Sequence, residues 1–478
     1  MLYYLLDWLH QLYDLPGFGV FRYITFRSIL SIIFSLFISL LIGKTLIGIL
    51  RKNLIGEVVR QTGLGPDHAS KAGTPTMGGL IIIAAILIPT LLWADIRNGY
   101  VWLILLGTFW MGIIGFVDDY IKVFKKDKQG LKGRFKLVGQ IGLGLIVGIT
   151  MLFHPDFMGS RKHLTALNRV QTSPVLARAG FMSGDELLSY NGQSLSTLPS
   201  GDVYAGITTY EVRRLVKQSG GGRKLDTVAV AIDPEYSKVI AQELFGPKDR
   251  SFIYTTDFPF FKDYVFDYAK VPLLNRVVNP DILGRIIYLL VVIFIVTAVS
   301  NSVNLTDGID GLAAGTTAIV GAGLGVFAYV SGNQIFADYL NISYIPLSAE
   351  LLVYAAALVG ACLGFLWYNS FPAQVFMGDT GSLALGGAVG ILSLMVKKEL
   401  LLPILCGVYF AESLSVIIQV SYFRYTKKKY GEGRRIFRMS PLHHHYEKAG
   451  LHESKITMRF FIVAILLVLV SFATLKLR

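Results

Sequence analysis

Residues Ile282 to Gly311 read ILGRIIYLLVVIFIVTAVSNSVNLTDGIDG. Residues 282–300 are overwhelmingly apolar and match the roughly 20 residues that a helix needs to cross a bilayer core. Residues 301–311 then turn polar, with two asparagines, two aspartates and two glycines. The same pairing of apolar run and loaded loop recurs at Lys71–Gly79 (KAGTPTMGG), Asp118–Tyr120 (DDY), Asn369–Ser382 (NSFPAQVFMGDTGS) and Ser440–Glu447 (SPLHHHYE). Each of the five lies in an alternate gap between apolar segments. Alternate gaps of a membrane-crossing chain share one side, so all five loops can converge on one site.

Ten candidate spans follow: 24–50, 77–94, 100–117, 136–153, 282–300, 311–330, 349–368, 380–396, 400–422 and 457–476. Composition agrees, since 53% of the 478 residues are hydrophobic and only 16% charged, against about 25% charged in soluble domains. The net charge of +13 gathers beside the spans: Arg51, Lys52, Arg60 and Lys71 after the first, Lys122 to Arg134 after the third, Arg424 to Arg438 after the ninth. That bias accounts for the basic surplus without nucleic acid and turns the motif loops inward, with both termini periplasmic. The two cysteines, Cys362 and Cys406, fall inside spans and offer neither a disulfide framework nor a metal pair. No cleavable leader is evident, and Leu5–Tyr13 (LLDWLHQLY) reads as an interfacial amphipathic helix.

One outward gap is far longer than the rest. The expected organisation is a membrane domain formed by residues 1–153 and 271–478, interrupted by a periplasmic insert at 154–270. Ala179 to Leu195 reads as turn, strand, turn, strand, with Gly-Asp and Asn-Gly as turn signals. Thr209 to Gln218 reads as a helix and Thr227 to Ile232 as a strand. The pattern over 162–232 is similar to a PDZ domain, a small α+β fold. Thr255 to Tyr268 reads as an aromatic hairpin on the outer membrane surface.

Ionisable residues at membrane depth point to function. Asp118 and Asp119 close the third span. Asp307 and Asp310, three apart, share a face if the segment is helical, and Asn301 and Asn304 repeat that spacing one turn earlier. Asp379 opens the eighth helix, either as a plain N-cap or as a ligand of Mg²⁺, which takes carboxylates and substrate phosphates. His443, His444 and His445 diverge on any regular backbone, so phosphate or nucleobase contact suits them better than one shared metal. Lys71 and Lys136 add cations suited to diphosphate oxygens. Acidic metal ligands, phosphate-facing cations and a lipid boundary together point to phosphoryl transfer.

In order, GTPTMGG, DDY, NLTDGIDGLA, FMGDTGS and PLHHHYE resemble the phospho-N-acetylmuramoyl-pentapeptide-transferase family (MraY) of the polyprenyl-phosphate N-acetylhexosamine-1-phosphate transferase superfamily. The resemblance covers the chain outside about 155–255. It implies Mg²⁺-dependent transfer of phospho-MurNAc-pentapeptide from UDP-MurNAc-pentapeptide to undecaprenyl phosphate, giving lipid I and UMP at the bacterial inner membrane. A ten-helix homodimer with its active site facing the cytoplasm is implied as well. By the same resemblance Asp379 matches the metal ligand and Asp118 the carboxylate that deprotonates the lipid phosphate, with Asp119 and Asp307 as acidic partners. Lys71, Thr76, Lys136, Asn301, Asn304, Asp310, Asn369, His443, His444 and His445 match substrate-binding positions. The insert departs from the shorter outward loop usual in the family. It lies across the membrane from the chemistry, where docking to a periplasmic cell-wall protein is the expected use.

The superfamily offers an alternative, a UDP-GlcNAc:undecaprenyl-phosphate transferase, but the contiguous PLHHHYE favours the muramoyl donor. An intramembrane metalloprotease would need H-E-x-x-H, and the one His-Glu pair, His452-Glu453, has Ile456 at the second histidine position. A transporter would more naturally show internal repeats, and none is seen.

Overall fold

The computed structural model describes residues 1–13, 17–52, 73–127, 129–154, 156–157, 170, 174–182, 185–194, 207–217, 223–245, 254–258, 265–270, 279–340, 342–345 and 347–476. Its helices are α1 (Leu2–Tyr13), α2 (Ile24–Lys52), α3 (Gly79–Trp93), α4 (Gly99–Phe124), α5 (Gly133–Phe153), α6 (Pro174–Arg178), α7 (Pro234–Phe245), α8 (Pro280–Thr306), α9 (Leu312–Ser331), α10 (Gln334–Leu340), α11 (Leu351–Asn369), α12 (Gly378–Met395), α13 (Leu402–Leu405), α14 (Gly407–Tyr430), α15 (Leu442–Lys448) and α16 (Glu453–Ala473). Among the described residues, eight helices are long and apolar enough to cross a membrane: α2, α4, α5, α8, α9, α11, α12 and α16. The chain is a polytopic α-helical membrane protein.

The two remaining expected spans take other forms. The ninth bends by 81° between Glu399–Leu405 and Gly407–Tyr430. Pro403 lies in the first turn of α13 and Gly407 opens α14, the residue types that interrupt a helix. The second, α3, has 15 residues with Pro89 inside. At 1.5 Å per residue it is about 22 Å long, short of the roughly 30 Å core.

Association in lipid rests on close packing and interhelical hydrogen bonds rather than on water exclusion. Helix α12 follows that rule: Thr380 to Met395 are all buried, and its glycines and alanines let α3, α4, α8 and α9 approach. On α2, Ser31, Ser35 and Ser39 recur every four residues and so form one stripe. Their hydroxyls donate to the Val353, Ala357 and Ala361 carbonyls of α11, and Ser35 also faces the Ala85 carbonyl of α3. Outward-facing Ile29, Ile33, Phe37 and Leu41 run along the other side of α2.

Residues 12–14 and 150–254 form one compact unit and the remainder another. The smaller unit contains a sheet in the order β2 (Gln193–Ser194), β1 (Glu186–Tyr190), β3 (Thr209–Lys217), β4 (Arg223–Ala231). All three pairings are antiparallel. The strands expected around Asn191-Gly192 and at 227–232 are present. The helix expected at 209–218 is not, because β3 pairs along its whole length with β4, from Thr209↔Ala231 to Lys217↔Arg223. Tyr210 and Val212 point into the core while Glu211 and Arg213 face out, a period of two that pairing converts into strand. Phe181, Leu187, Ile232, Ile240 and Leu244 complete this core. The PDZ-like stretch falls partly on residues outside those described.

Strands β5 (Thr255–Asp257) and β6 (Val265–Asp267) form the expected hairpin, but within the larger unit. Asp257 forms a buried ion pair with Lys398, just beyond α12, and accepts from Ser343. Tyr268 donates to Glu399 at 3.1 Å. Burial first, and then the Glu399 carboxylate, push that hydroxyl above its usual range, so it stays protonated and donating.

Candidate active site

Helix α4 continues past residue 117 to Phe124, so Asp118 and Asp119 lie within it, 0% and 3% exposed. Asp119 closes the N-terminus of α12. Its Oδ1 accepts from the Asp379 N–H at 3.1 Å, and its Oδ2 from the Thr380 N–H at 2.9 Å and Thr380 Oγ1 at 2.6 Å. A helix start leaves such donors unpaired, and here another helix supplies the acceptor. Asp379 is therefore not its own helix's cap. Gly378 sits at φ 72°, and a side chain there would meet Asp119 Oδ2 and Thr76 Oγ1. The Thr76 side is fastened by backbone bonds from Phe376 to Pro75, Gly78 to Phe376 and Gly79 to Met377, which join the GTPTMGG and FMGDTG motifs.

Freed from capping, the Asp379 carboxylate faces the other charged groups. Oxygens of Asp118, Asp119 and Asp379 lie within 4.8 Å of one another. Lys136 Nζ lies 2.9 Å from Asp118 Oδ1 and 2.5 Å from Asp379 Oδ2. Lys122 Nζ is 2.5 Å from Asp118 Oδ2 and 3.2 Å from Asp379 Oδ2. Asn304 donates to Asp379 Oδ1 at 2.9 Å and to Ser382 Oγ at 2.8 Å. Asn301 shares that face of α8 and donates to Gln140 at 3.0 Å. Three carboxylates against two ammonium groups leave one net negative charge, a setting that favours a further cation.

Asp307 and Asp310 are not on one helical face. Helix α8 ends at Thr306, and Asp307 is its C-cap, with its N–H bonded to Asn304 and Val303. Asp310 is buried and accepts from the Ala373 N–H at 3.0 Å, while its carbonyl accepts from Thr457 at 3.1 Å. Asn369 accepts from the Gly311 N–H at 3.1 Å and donates to the Val375 carbonyl at 2.9 Å. These residues tie the turn to the loop before α12. Asp307 is not among the clustered carboxylates. The histidines diverge on α15: His443 is buried on Glu412, His444 pairs with Glu447, and His445 accepts from the Arg438 N–H. Lys71 lies outside the described residues.

Residues 260–397 match glycosyl transferase family 4, and residues 71–83 match phospho-N-acetylmuramoyl-pentapeptide-transferase signature 1. Curated relatives named phospho-N-acetylmuramoyl-pentapeptide-transferase align over all of this chain and all of their own. Those from Flavobacterium psychrophilum, Flavobacterium johnsoniae and Parabacteroides distasonis are 49%, 48% and 46% identical. The chain belongs to the phospho-N-acetylmuramoyl-pentapeptide-transferase family. The alignments take in the insert region, so these relatives have residues opposite it.

In this transferase the donor set is entirely hard oxygen from carboxylates, which suits a metal ion such as Mg²⁺ rather than a thiophilic one. Two groups at the site belong to none of the five motifs. Lys122 lies in the basic run that sets orientation, yet it stands one helical turn from Asp118. Glu412 is a carboxylate inside an apolar span, which is itself a signal.

Proposed function

We propose that this enzyme transfers phospho-MurNAc-pentapeptide from UDP-MurNAc-pentapeptide to undecaprenyl phosphate, releasing UMP and forming lipid I for peptidoglycan synthesis. A phosphate oxygen of the lipid attacks the sugar-linked phosphorus. The bond from that phosphorus to the oxygen bridging it to UMP breaks, and UMP leaves with that oxygen. The observation that carries the reading is the meeting of Asp118, Asp119 and Asp379 with Lys122 and Lys136, in a chain 49% identical to a transferase of that name.

Asp379 would hold Mg²⁺, which when bound supplies charge neutralisation and orientation of the diphosphate. Asp118 takes the proton of the lipid phosphate. Lys122 and Lys136 bridge Asp118 and Asp379, so as phosphate oxygens arrive the two ammonium groups exchange carboxylate for phosphate partners. Asp119 holds the Asp379 backbone. Asp307, at the C-cap of α8, is a further acidic partner of the reaction. Asn301 and Asn304 turn the polar face of α8 towards the nucleotide, with Lys71, Thr76, His444 and His445 as further contacts. Direct attack accounts for these residues without a covalent enzyme intermediate. The active site faces the cytoplasm of the bacterial inner membrane, both termini lie outside, the protein is a homodimer, and the insert docks a periplasmic cell-wall protein.

The test is UMP release by purified protein with undecaprenyl phosphate, Mg²⁺ and either UDP-MurNAc-pentapeptide or UDP-GlcNAc, for wild type and Asp379→Asn. Release with the muramoyl donor alone, lost in the variant, is expected. Release with UDP-GlcNAc instead would overturn the donor assignment.

A further inference from the structure

Glu412 on α14 is 0% exposed, as is His443 at the start of α15. Oε1 of Glu412 accepts from the His443 backbone N–H at 3.2 Å, and Oε2 faces His443 Nδ1 at 3.1 Å. A carboxylate oxygen accepts, so the Nδ1 that faces it donates its hydrogen. The other ring nitrogen, Nε2, is buried and has no hydrogen-bond partner among the described residues. It points at Gly308, where an added Cβ would come within 2.2 Å of it. The imidazole thus rests on the backbone of the Asp307–Gly311 turn, at the one residue type small enough to allow it.

The rest of that turn is already held. Ala373 binds it from the loop before α12, Asn369 from the end of α11 and Thr457 from α16, and Ile309 packs on Ile456. Asp307 is the residue next to the His443 contact. An apolar side chain would fill the space without burying an unpaired nitrogen, which costs about 1–3 kcal/mol. What the Glu412 contacts add is a fixed ring position. We propose that Glu412 is a positioning residue: through His443 it sets the turn that places Asp307, so His443 supports the site from behind while His444 and His445 remain the histidines able to meet substrate. This rests on the transferase reading above.

Glu412→Gln tests it. Glutamine has one acceptor oxygen in place of two, so in either orientation of the amide one of the two contacts, to the His443 N–H or to Nδ1, is lost. The expected result is a kcat about 10- to 100-fold lower, as for a small misplacement of a reacting group. The donor KM and the melting temperature should change little, and the nitrogen-15 signals of His443 should shift. A double-mutant cycle guards against a misfolded variant. Gly308→Ala should lower kcat strongly in the wild type and much less beside His443→Ala, because the collision is gone. Wild-type kcat in Glu412→Gln, or an equal loss from Gly308→Ala in both backgrounds, would overturn the proposal. A wild type that releases no UMP would instead count against the reaction, and the nitrogen-15 signals would still decide: unchanged His443 backbone and ring signals in Glu412→Gln reject the contact.

Discussion

Asp118, Asp119 and Asp379 carry the same functional group and do different work, because each oxygen is committed to a different partner. Both oxygens of Asp119 are spent on backbone and hydroxyl donors at the start of α12, whereas Asp379 faces two ammonium groups and an amide. Truncating Asp119 to alanine would orphan three donors, the two buried ones on Thr380 at about 1–3 kcal/mol each. We therefore expect Asp119→Ala to lower the melting temperature in detergent and abolish UMP release, while Asp379→Asn abolishes release with little change in melting. Thermal unfolding beside the activity assay separates the two, and equal melting would reject the capping role. The three aspartates were legible in the sequence because carboxylates at membrane depth are costly. Their division of labour was not, since it depends on partners some 260 residues away, and Lys122 likewise reaches Asp379 across 257 residues.

At the scale of elements, helix lengths follow the apolar runs, and deviations arise where packing substitutes for lipid. Helix α3 is short yet its Ile81, Ile82, Ala85 and Ile86 are fully buried, so neighbouring helices cover it rather than a full bilayer thickness. Strand β3 replaces an expected helix because β4 offers it a nine-residue antiparallel partner, and pairing outweighs a weak local preference. Beyond the end of α12, Lys398 and Asp257 are 1% and 4% exposed. Breaking a buried pair by removing one member costs about 3–5 kcal/mol. Lys398→Met should therefore destabilise the protein measurably in thermal unfolding, and Lys398→Met with Asp257→Leu should recover part of the loss. No recovery in the double variant would mean that the ion pair is not the cause.

Across the whole molecule, chemistry and insert occupy separate stretches of chain. The site is built from α4, α5, α8, α12 and α15 with the loops between them, while the sheet β1–β4 and α7 lie within residues 150–254, a compact unit of their own. Deleting 160–245 removes that sheet with α6 and α7 and leaves the β5–β6 hairpin. UMP release in detergent is expected to persist, and a folded but inactive deletion would place the insert within the catalytic machinery. The sequence alone determined what local chemistry and bilayer thickness dictate: the apolar spans, their alternation with motif loops, and the residue types of a phosphoryl-transfer site. The tertiary structure decided that Asp119 caps a helix that is not its own, that Asp310 and Asn369 fasten a turn, and that His443 is sealed behind it. Apolarity and helical period are properties of neighbouring residues and can be read along a chain. Which donor each carboxylate oxygen meets is set by the packing of distant helices, and only their assembly supplies it.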